Sequence, residues 1–271
     1  MIESMANTQI KHIQKLMKQA RMRRQEQVFI VEGWKMVSEA LARNLVLHLY
    51  VKESEEKNFV IHLKEYVDAS FLDEVPVEFV ADSIFRQLSD TVTPQGILAL
   101  VKMPRYHRDE IVSGNAGGVY QETKLLVLED IQDPGNMGTI LRTAEGAGMS
   151  GVVMSKGCVD VFNPKVVRST MGALFRVPFY VCDDLASEIT DLHQENFLFY
   201  AAHLQGKDDY CNVSYNGKLG ILIGNEAKGL SDSVSQLADV MVKIPMEGEL
   251  ESLNAAVSAA LFVYEIRRFC R

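Results

Sequence analysis

The chain has 271 residues, a length that favours two domains over one. With 47% hydrophobic and 24% charged residues it reads as globular, and no run approaches the ~20 apolar residues that span a bilayer, so no membrane-spanning helix is expected. The net charge of −8 argues against a uniformly basic nucleic-acid binder.

Residues 8–24 read as a helix whose Lys11, Lys15, Lys18, Arg21, Arg23 and Arg24 form a basic stripe free of acids. A solvated face and a nucleic-acid contact are both open for it. A strand at Val28–Val31 leads into a helix through Met36, Val37, Ala40 and Leu41, and 45–53 returns as a strand. Glu55–Tyr66 reads as a helix, 75–82 as a strand, Ser83–Leu88 as a short helix and 96–104 as a closing strand. This alternation describes a small α/β domain over residues 1–103. Residues 104–122 read as a linker containing Gly114, Gly117 and Gly118, with a short helical piece near Asp109.

From 123 to 271 the apolar runs Leu125–Glu129, Gly151–Met154, Val177–Val181, Phe197–Ala202, Gly220–Ile223 and Val240–Ile244 read as strands. Helical patterns separate most of them, and the last runs from Leu253 to Phe269. Near-continuous apolar strands of this kind imply a parallel sheet covered on both faces. The four cysteines, Cys158, Cys182, Cys211 and Cys270, form no C-x-x-C pair. With no apolar signal-peptide core at the N-terminus, this fits a reducing cytoplasm without zinc or disulfides.

Ligands in parallel α/β sheets bind outside the carboxyl ends of the strands. Three loops leave strands there: Asp133–Arg142 (D-P-G-N-M-G-T-I-L-R), Gly224–Asp232 (G-N-E-A-K-G-L-S-D) and Pro245–Asn254 (P-M-E-G-E-L-E-S-L-N). Each has an ordinary structural reading: turn chemistry in the first, a polar strand exit in the second, and Ser252 as N-cap of the last helix in the third. No G-x-G-x-x-G follows any strand, which disfavours a dinucleotide oxidoreductase.

Taken together, N-M-G-T-I-L-R, G-N-E-A-K-G-L and I-P-M-E-G-E-L-E-S-L-N-A-A-V-S-A-A resemble, in order and spacing, the three motifs of SpoU-type (TrmH family) RNA ribose methyltransferases of the SPOUT superfamily. The resemblance covers residues 123–271. The first domain resembles the L30e-like substrate-binding domain, on V-E-G at Val31–Gly33 and T-P-Q-G at Thr93–Gly96. The resemblance implies a C-terminal trefoil knot, S-adenosylmethionine as cofactor, no metal, and a homodimer whose active sites draw on both subunits. It implies 2′-O-methylation of ribose in RNA, with 23S rRNA favoured over tRNA. A non-catalytic RNA-binding dimer of the same fold is the rival.

It also assigns residues. Asn136, Arg142, Glu226, Ser252 and Asn254 are implied as catalytic. Gly224, Ile244 and Leu253 are implied to grip the cofactor, with Ala202, Leu222 and Met246 beside them. Arg142 is cast in the family as a base, but a guanidinium does not deprotonate, so a bidentate phosphate clamp suits it better. Phe162–Ala173, F-N-P-K-V-V-R-S-T-M-G-A, also resembles the family; Asn163 and Pro164 start a helix, and Lys165, Arg168 and Ser169 project from it. RNA contacts are expected from Lys15, Arg21, Arg23, Arg24, Lys165, Arg168 and Ser169.

Overall fold

The structure, a computed structural model, describes all residues except 69–71, 73, 74, 90, 92, 115–118, 251 and 271; Gly117 and Gly118 thus lie outside the described residues. The chain forms two compact units, Met1–Arg105 with Asp160–Phe175, and Tyr106–Val159 with Arg176–Arg271.

In the first unit, helix α1 (Thr8–Lys18) buries Ile10, Ile13 and Leu16, the apolar positions of its 3.6-residue period. The expected single helix over 8–24 breaks at Gln19, which is extended, and α2 (Ala20–Glu26) follows. Strand β1 (Val28–Glu32), helix α3 (Trp34–Leu41), β2 (Val46–Lys52), α4 (Phe59–Lys64), β3 (Val77–Val80), α5 (Asp82–Leu88) and β4 (Ile97–Lys102) complete the run. The sheet order is β1-β4-β2-β3. β4 pairs antiparallel with both neighbours, whereas β2 and β3 are parallel. The helix expected from Glu55 is shorter: one 3-10 turn at Glu53–Glu55 precedes α4.

The second unit begins with α6 (Arg108–Val112), where a short helix is expected near Asp109. Arg108 fastens it through Glu188 at 2.7 Å and Glu195 at 2.9 Å. Then come β5 (Lys124–Leu128), α7 (Pro134–Ala147) and β6 (Gly151–Met154). Helix α8 (Pro164–Ser169) belongs to the first unit, and the chain returns for β7 (Phe179–Val181), α9 (Leu185–Gln194), β8 (Leu198–Ala202) and β9 (Asp208–Asp209). β10 (Leu219–Ile223), α10 (Asp232–Ser235), β11 (Val240–Lys243) and α11 (Ala255–Phe269) close the chain.

All seven strands are parallel, in the order β7-β6-β5-β10-β8-β11-β9. Leu125, Val127, Phe199, Ala201 and Leu222 sit in one core with Ile189 and Leu192 of α9, while α11 packs on α7. Strand order reverses between β6-β5 and β10, which opens a crevice at the carboxyl ends of these strands.

One boundary differs from the sequence reading. Asp160–Phe175 falls in the expected second domain, yet it packs in the first unit. The cause is side-chain contact: Phe29 meets Phe162 at 4.9 Å and Phe175 at 6.1 Å between ring centres, and Arg43 donates to the Phe175 carbonyl at 2.8 Å.

Candidate functional site

The three loops leave β5, β10 and β11, and a chain of hydrogen bonds joins them. Asn136 Nδ2 donates to Glu226 Oε1 at 2.9 Å, and Asn254 Nδ2 donates to Asn136 Oδ1 at 2.9 Å. The remaining Asn254 oxygen accepts from Ala256 N at 2.9 Å and Val257 N at 3.3 Å, capping α11. The cap of the last helix is thus Asn254, two residues past the Ser252 of the structural reading. α7 begins in the same way, with Asp133 accepting from Asn136 N at 2.7 Å and Pro134 in the first turn. Asn136 and Asn254 are therefore each aimed by a helix start.

Burial pushes the Glu226 carboxyl up, but hydrogen bonds from Asn136 Nδ2 and from backbone N–H groups, those of Gln132 and Asp133 among them, outweigh it. The net shift is below the usual carboxylate value, so Glu226 is ionised at neutral pH. It is suited to hold Asn136 and poorly suited to act as an acid.

The second loop closes on itself. Asn225 and Gly229 exchange backbone hydrogen bonds at 3.0 and 2.9 Å. Asn225 Oδ1 accepts from Ala227 N and Lys228 N, and its Nδ2 donates to the Asp130 carbonyl at 2.8 Å. A Cβ on Gly224 would stand 2.2 Å from Gly229 C and Leu230 N, so the loop's own closure requires glycine there. Asn225 was missed in the sequence although it sits inside G-N-E; its signal was the Asx-turn chemistry of an Asn two residues ahead of free N–H groups.

A cavity of about 380 Å³ lies along the second and third loops, within the range of small-molecule sites. Ala202, Gly224, Ile244, Met246 and Leu253 wall it, with Ser252 and Glu226. His203, Lys228, Lys243 and Phe262 also wall it, and sequence reasoning missed them. Leu222 does not: it is fully buried, because its position in β10 turns the side chain into the sheet core. Apolar side chains beside backbone polar groups and single charges suit an adenosine with a short zwitterionic tail. The residues therefore fit S-adenosylmethionine.

Arg142 stands apart. Six residues past Asn136, at 3.6 per turn, it faces a different side of α7. It lies in an exposed row with Gly135, Thr139 and Gly146 and does not wall the cavity. It pairs with neither acid near it in sequence: Glu145 meets Arg176 at 2.9 Å and Glu129 accepts from Ser231. Among the described residues Arg142 has no hydrogen-bond or ion-pair partner. Beside its row, α11 presents exposed Val257 and Tyr264 and half-buried Ala260 and Leu261 at positions i, i+7, i+3 and i+4, and these line a shallow apolar groove with Asn136, Thr139 and Asn254.

Of the expected RNA contacts, Lys15, Arg21, Arg24, Lys165 and Arg168 are exposed. Arg23 is not: it is 3% exposed, with its guanidinium on Asp160 and on two carbonyls of α1. Ser169 turns its hydroxyl back to the Lys165 and Val166 carbonyls of its own helix. Asn163 caps α8 by accepting from Lys165 N at 2.9 Å, as its sequence implies. Among the described residues no group of three metal-ligating side chains occurs, all four cysteines are free, and no helix is long and apolar enough to cross a membrane.

The three loops and the cavity fall within a region that matches a known family. Residues 123–264 match the model of the SpoU rRNA methylase family, and residues 7–99 that of an MRM3-like substrate binding domain. A Bacillus subtilis 23S rRNA (guanosine(2553)-2′-O)-methyltransferase, RlmP, is 32% identical over 98% of both chains. The SpoU methyltransferase AviRb of Streptomyces viridochromogenes in complex with AdoMet superposes with a TM-score of 0.83, at 27% identity over 97% of both chains. The AdoMet-bound rRNA methyltransferase of Sinorhizobium meliloti superposes with 0.81, at 26% identity over 98% of this chain and 97% of that one.

Proposed function

Given that the chain belongs to the SpoU rRNA methylase family and is an S-adenosylmethionine-dependent RNA ribose 2′-O-methyltransferase, we propose that its substrate is 23S rRNA and that it works as a homodimer. The observation that carries the reading is the Glu226–Asn136–Asn254 chain, which locks three loops beside the cavity. The substrate class is supported by the relative named for guanosine 2553 of 23S rRNA, which aligns over nearly its whole length. We infer a cytoplasmic location for the same reason.

The cofactor supplies an electrophilic methyl group on a sulfonium. The cavity residues Gly224, Ile244, Met246 and Leu253 would hold it. Asn136, fixed from both sides, orients the ribose so that its 2′-oxygen meets the reaction axis, and Ser252 shapes the mouth of the cavity. Positioning of this kind can supply much of a rate enhancement. Glu226 is fully engaged and holds Asn136; the ribose proton leaves to water or to a neighbouring phosphate.

Arg142 has the planar fork that grips a phosphate and stabilises charge developing on the oxygen. It does not reach the cavity of its own chain. The apolar row of α11, with Val257 48% and Tyr264 50% exposed, is unusual for a free surface. Dimerisation through this row would carry Arg142 to the partner's cavity. The trefoil knot is part of the proposal, with the chain after β11 passing through a loop; the family match over 123–264 supports it.

The test is transfer of labelled methyl from S-adenosylmethionine to purified 23S rRNA and, separately, to tRNA, followed by nuclease digestion and mass spectrometry. One 2′-O-methylated nucleoside in 23S rRNA is expected. Methylation of tRNA alone would overturn the substrate, and methyl on a base would overturn the site chemistry.

A further inference from the structure

The pair of buried Arg23 and half-buried Asp160 has no part in the chemistry above, yet three pieces of chain meet on it. Arg23 Nε and Nη2 both donate to Asp160 Oδ2, Nε at 3.0 Å. Nη1 donates to the Leu16 carbonyl and, at 3.3 Å, to that of Met17. Those carbonyls belong to the last turn of α1, where a helix leaves its acceptors unmet. The break at Gln19 is therefore closed by a side chain four residues on. Asp160 in turn accepts from Phe162 N at 3.1 Å through Oδ1 and from Asn163 N at 2.9 Å through its carbonyl. Asn163 then caps α8. One guanidinium thus fixes the end of α1 and the start of α8 together.

Both helices are basic on their exposed sides. Lys15 and Lys18 of α1, Arg21 and Arg24 of α2, and Lys165 and Arg168 of α8 are exposed and have no ion-pair partner among the described residues. Two acids near them bond to other groups: Glu26 to His12 at 2.6 Å, and Glu32 to the Thr91 hydroxyl at 2.9 Å. Met17 and Arg168 wall one small cleft, so the end of α1 and α8 are neighbours. In a chain of net charge −8 this is a concentration of unpaired cations. An ion pair taken partly out of water adds little net stability over an apolar replacement; what this one supplies is direction.

We propose that Arg23 and Asp160 are a positioning pair that merges the cations of α1, α2 and α8 into one surface for the phosphate backbone of the RNA substrate. The proposal rests on the ribosomal-RNA reading above. It places a segment of the methylase-matching region on the same RNA-holding face as the matched substrate-binding region.

The test uses the full chain and a 23S rRNA transcript spanning the region that corresponds to nucleotide 2553 of the Bacillus subtilis relative. RNA affinity is measured over a salt series, beside cofactor affinity and the single-turnover methylation rate at saturating RNA. Lys165→Ala/Arg168→Ala changes only exposed side chains. It is expected to weaken RNA binding about tenfold and to reduce the slope of log K against log salt by roughly 1.4 to 1.8, for two lost phosphate contacts. Cofactor affinity and the saturated rate stay unchanged. Asp160→Asn keeps the volume and removes the pair. It is expected to cost a similar affinity, and adding Lys165→Ala/Arg168→Ala to it then costs little more. Arg23→Lys is not expected to rescue, since an ammonium lacks the fork that reaches both Asp160 and the α1 carbonyls.

Fully additive losses in this cycle would overturn the positioning role, because a merely structural pair does not couple to surface cations. If Asp160→Asn does not fold, the exposed double variant decides: an unchanged salt slope overturns the surface. A wild type that methylates no ribosomal RNA would overturn the substrate reading and this proposal with it. Normal methylation with unaltered affinity in the cation variant would remove this proposal alone.

Discussion

Asn254 has two tasks that substitution can separate. Its Oδ1 caps α11, and its Nδ2 holds Asn136. Asn254→Ala removes both. Loss of an N-cap costs about 1 kcal/mol, and loss of one hydrogen bond between solvent-accessible groups about 0.5–1.5 kcal/mol. A total near 2 kcal/mol would lower Tm by roughly 4–8 °C in a unit of this size. Asn254→Asp keeps the capping oxygen and adds a favourable charge at the helix start, about 0.3–1 kcal/mol. It removes the donor and sets a carboxylate against Asn136 Oδ1. Its stability is therefore expected within about 0.5 kcal/mol of wild type, while methyl transfer falls on the order of 10- to 100-fold through misplacement of Asn136. The assay pairs urea denaturation with single-turnover methylation. An Asn254→Asp protein with wild-type activity would refute the claim that the amide bridge positions Asn136.

Glu226 gives a pH prediction. Its folded pKa is depressed below the ordinary 4.5, so its contribution to stability is present above that value and is lost as pH falls through the folded pKa. Glu226→Gln should then flatten the stability profile below pH 4.5, read by denaturation at stepped pH; an unaltered acid limb would count against the hydrogen-bonded carboxylate. Leu222→Ala is expected to cost about 2–5 kcal/mol of stability with cofactor affinity unchanged in calorimetry, since the side chain is core and not cavity wall. Leu261→Glu, on the apolar row of α11, is expected to give folded monomers in sedimentation at micromolar concentration and to lose activity; a stable dimer would place the interface elsewhere.

Much of the fold was legible because its signals are local. Apolar runs such as Leu125–Leu128 and Leu219–Ile223 are buried on both faces and read as strands without ambiguity. The polar loops that follow them carry the Asn136 and Glu226 that the structure joins. What was not legible depended on distant partners or on angle. Arg23 looked like one more cation in a stripe, and only the fold supplies Asp160, 137 residues away, to bury it. Leu222 and Gly224 are two residues apart in sequence, yet one ends in the core and the other at the cavity. Asn136 and Arg142 share a helix, yet six residues of rotation separate their faces. Ser252 and Asn254 are both good caps, and the choice follows from which one also meets Asn136. The packing of α8 in the first unit depends on Phe29, far upstream.

In the proposed dimer each active site joins the cavity of one subunit to Arg142 of the other. Subunit complementation tests it most directly. Arg142→Ala is expected to lower transfer by roughly 100- to 1000-fold with cofactor affinity retained, and Asn254→Asp is impaired as described. The two are dissociated, mixed in equal amounts and allowed to re-form dimers, and methylation of 23S rRNA is measured. In a mixed dimer one site pairs an intact Asn254 with an intact Arg142, and the other site has both defects. Random exchange then restores roughly a quarter of wild-type activity. If Arg142 serves the cavity of its own chain, every site in the mixture carries a defect, and activity no higher than the average of the two separate variants would contradict the account.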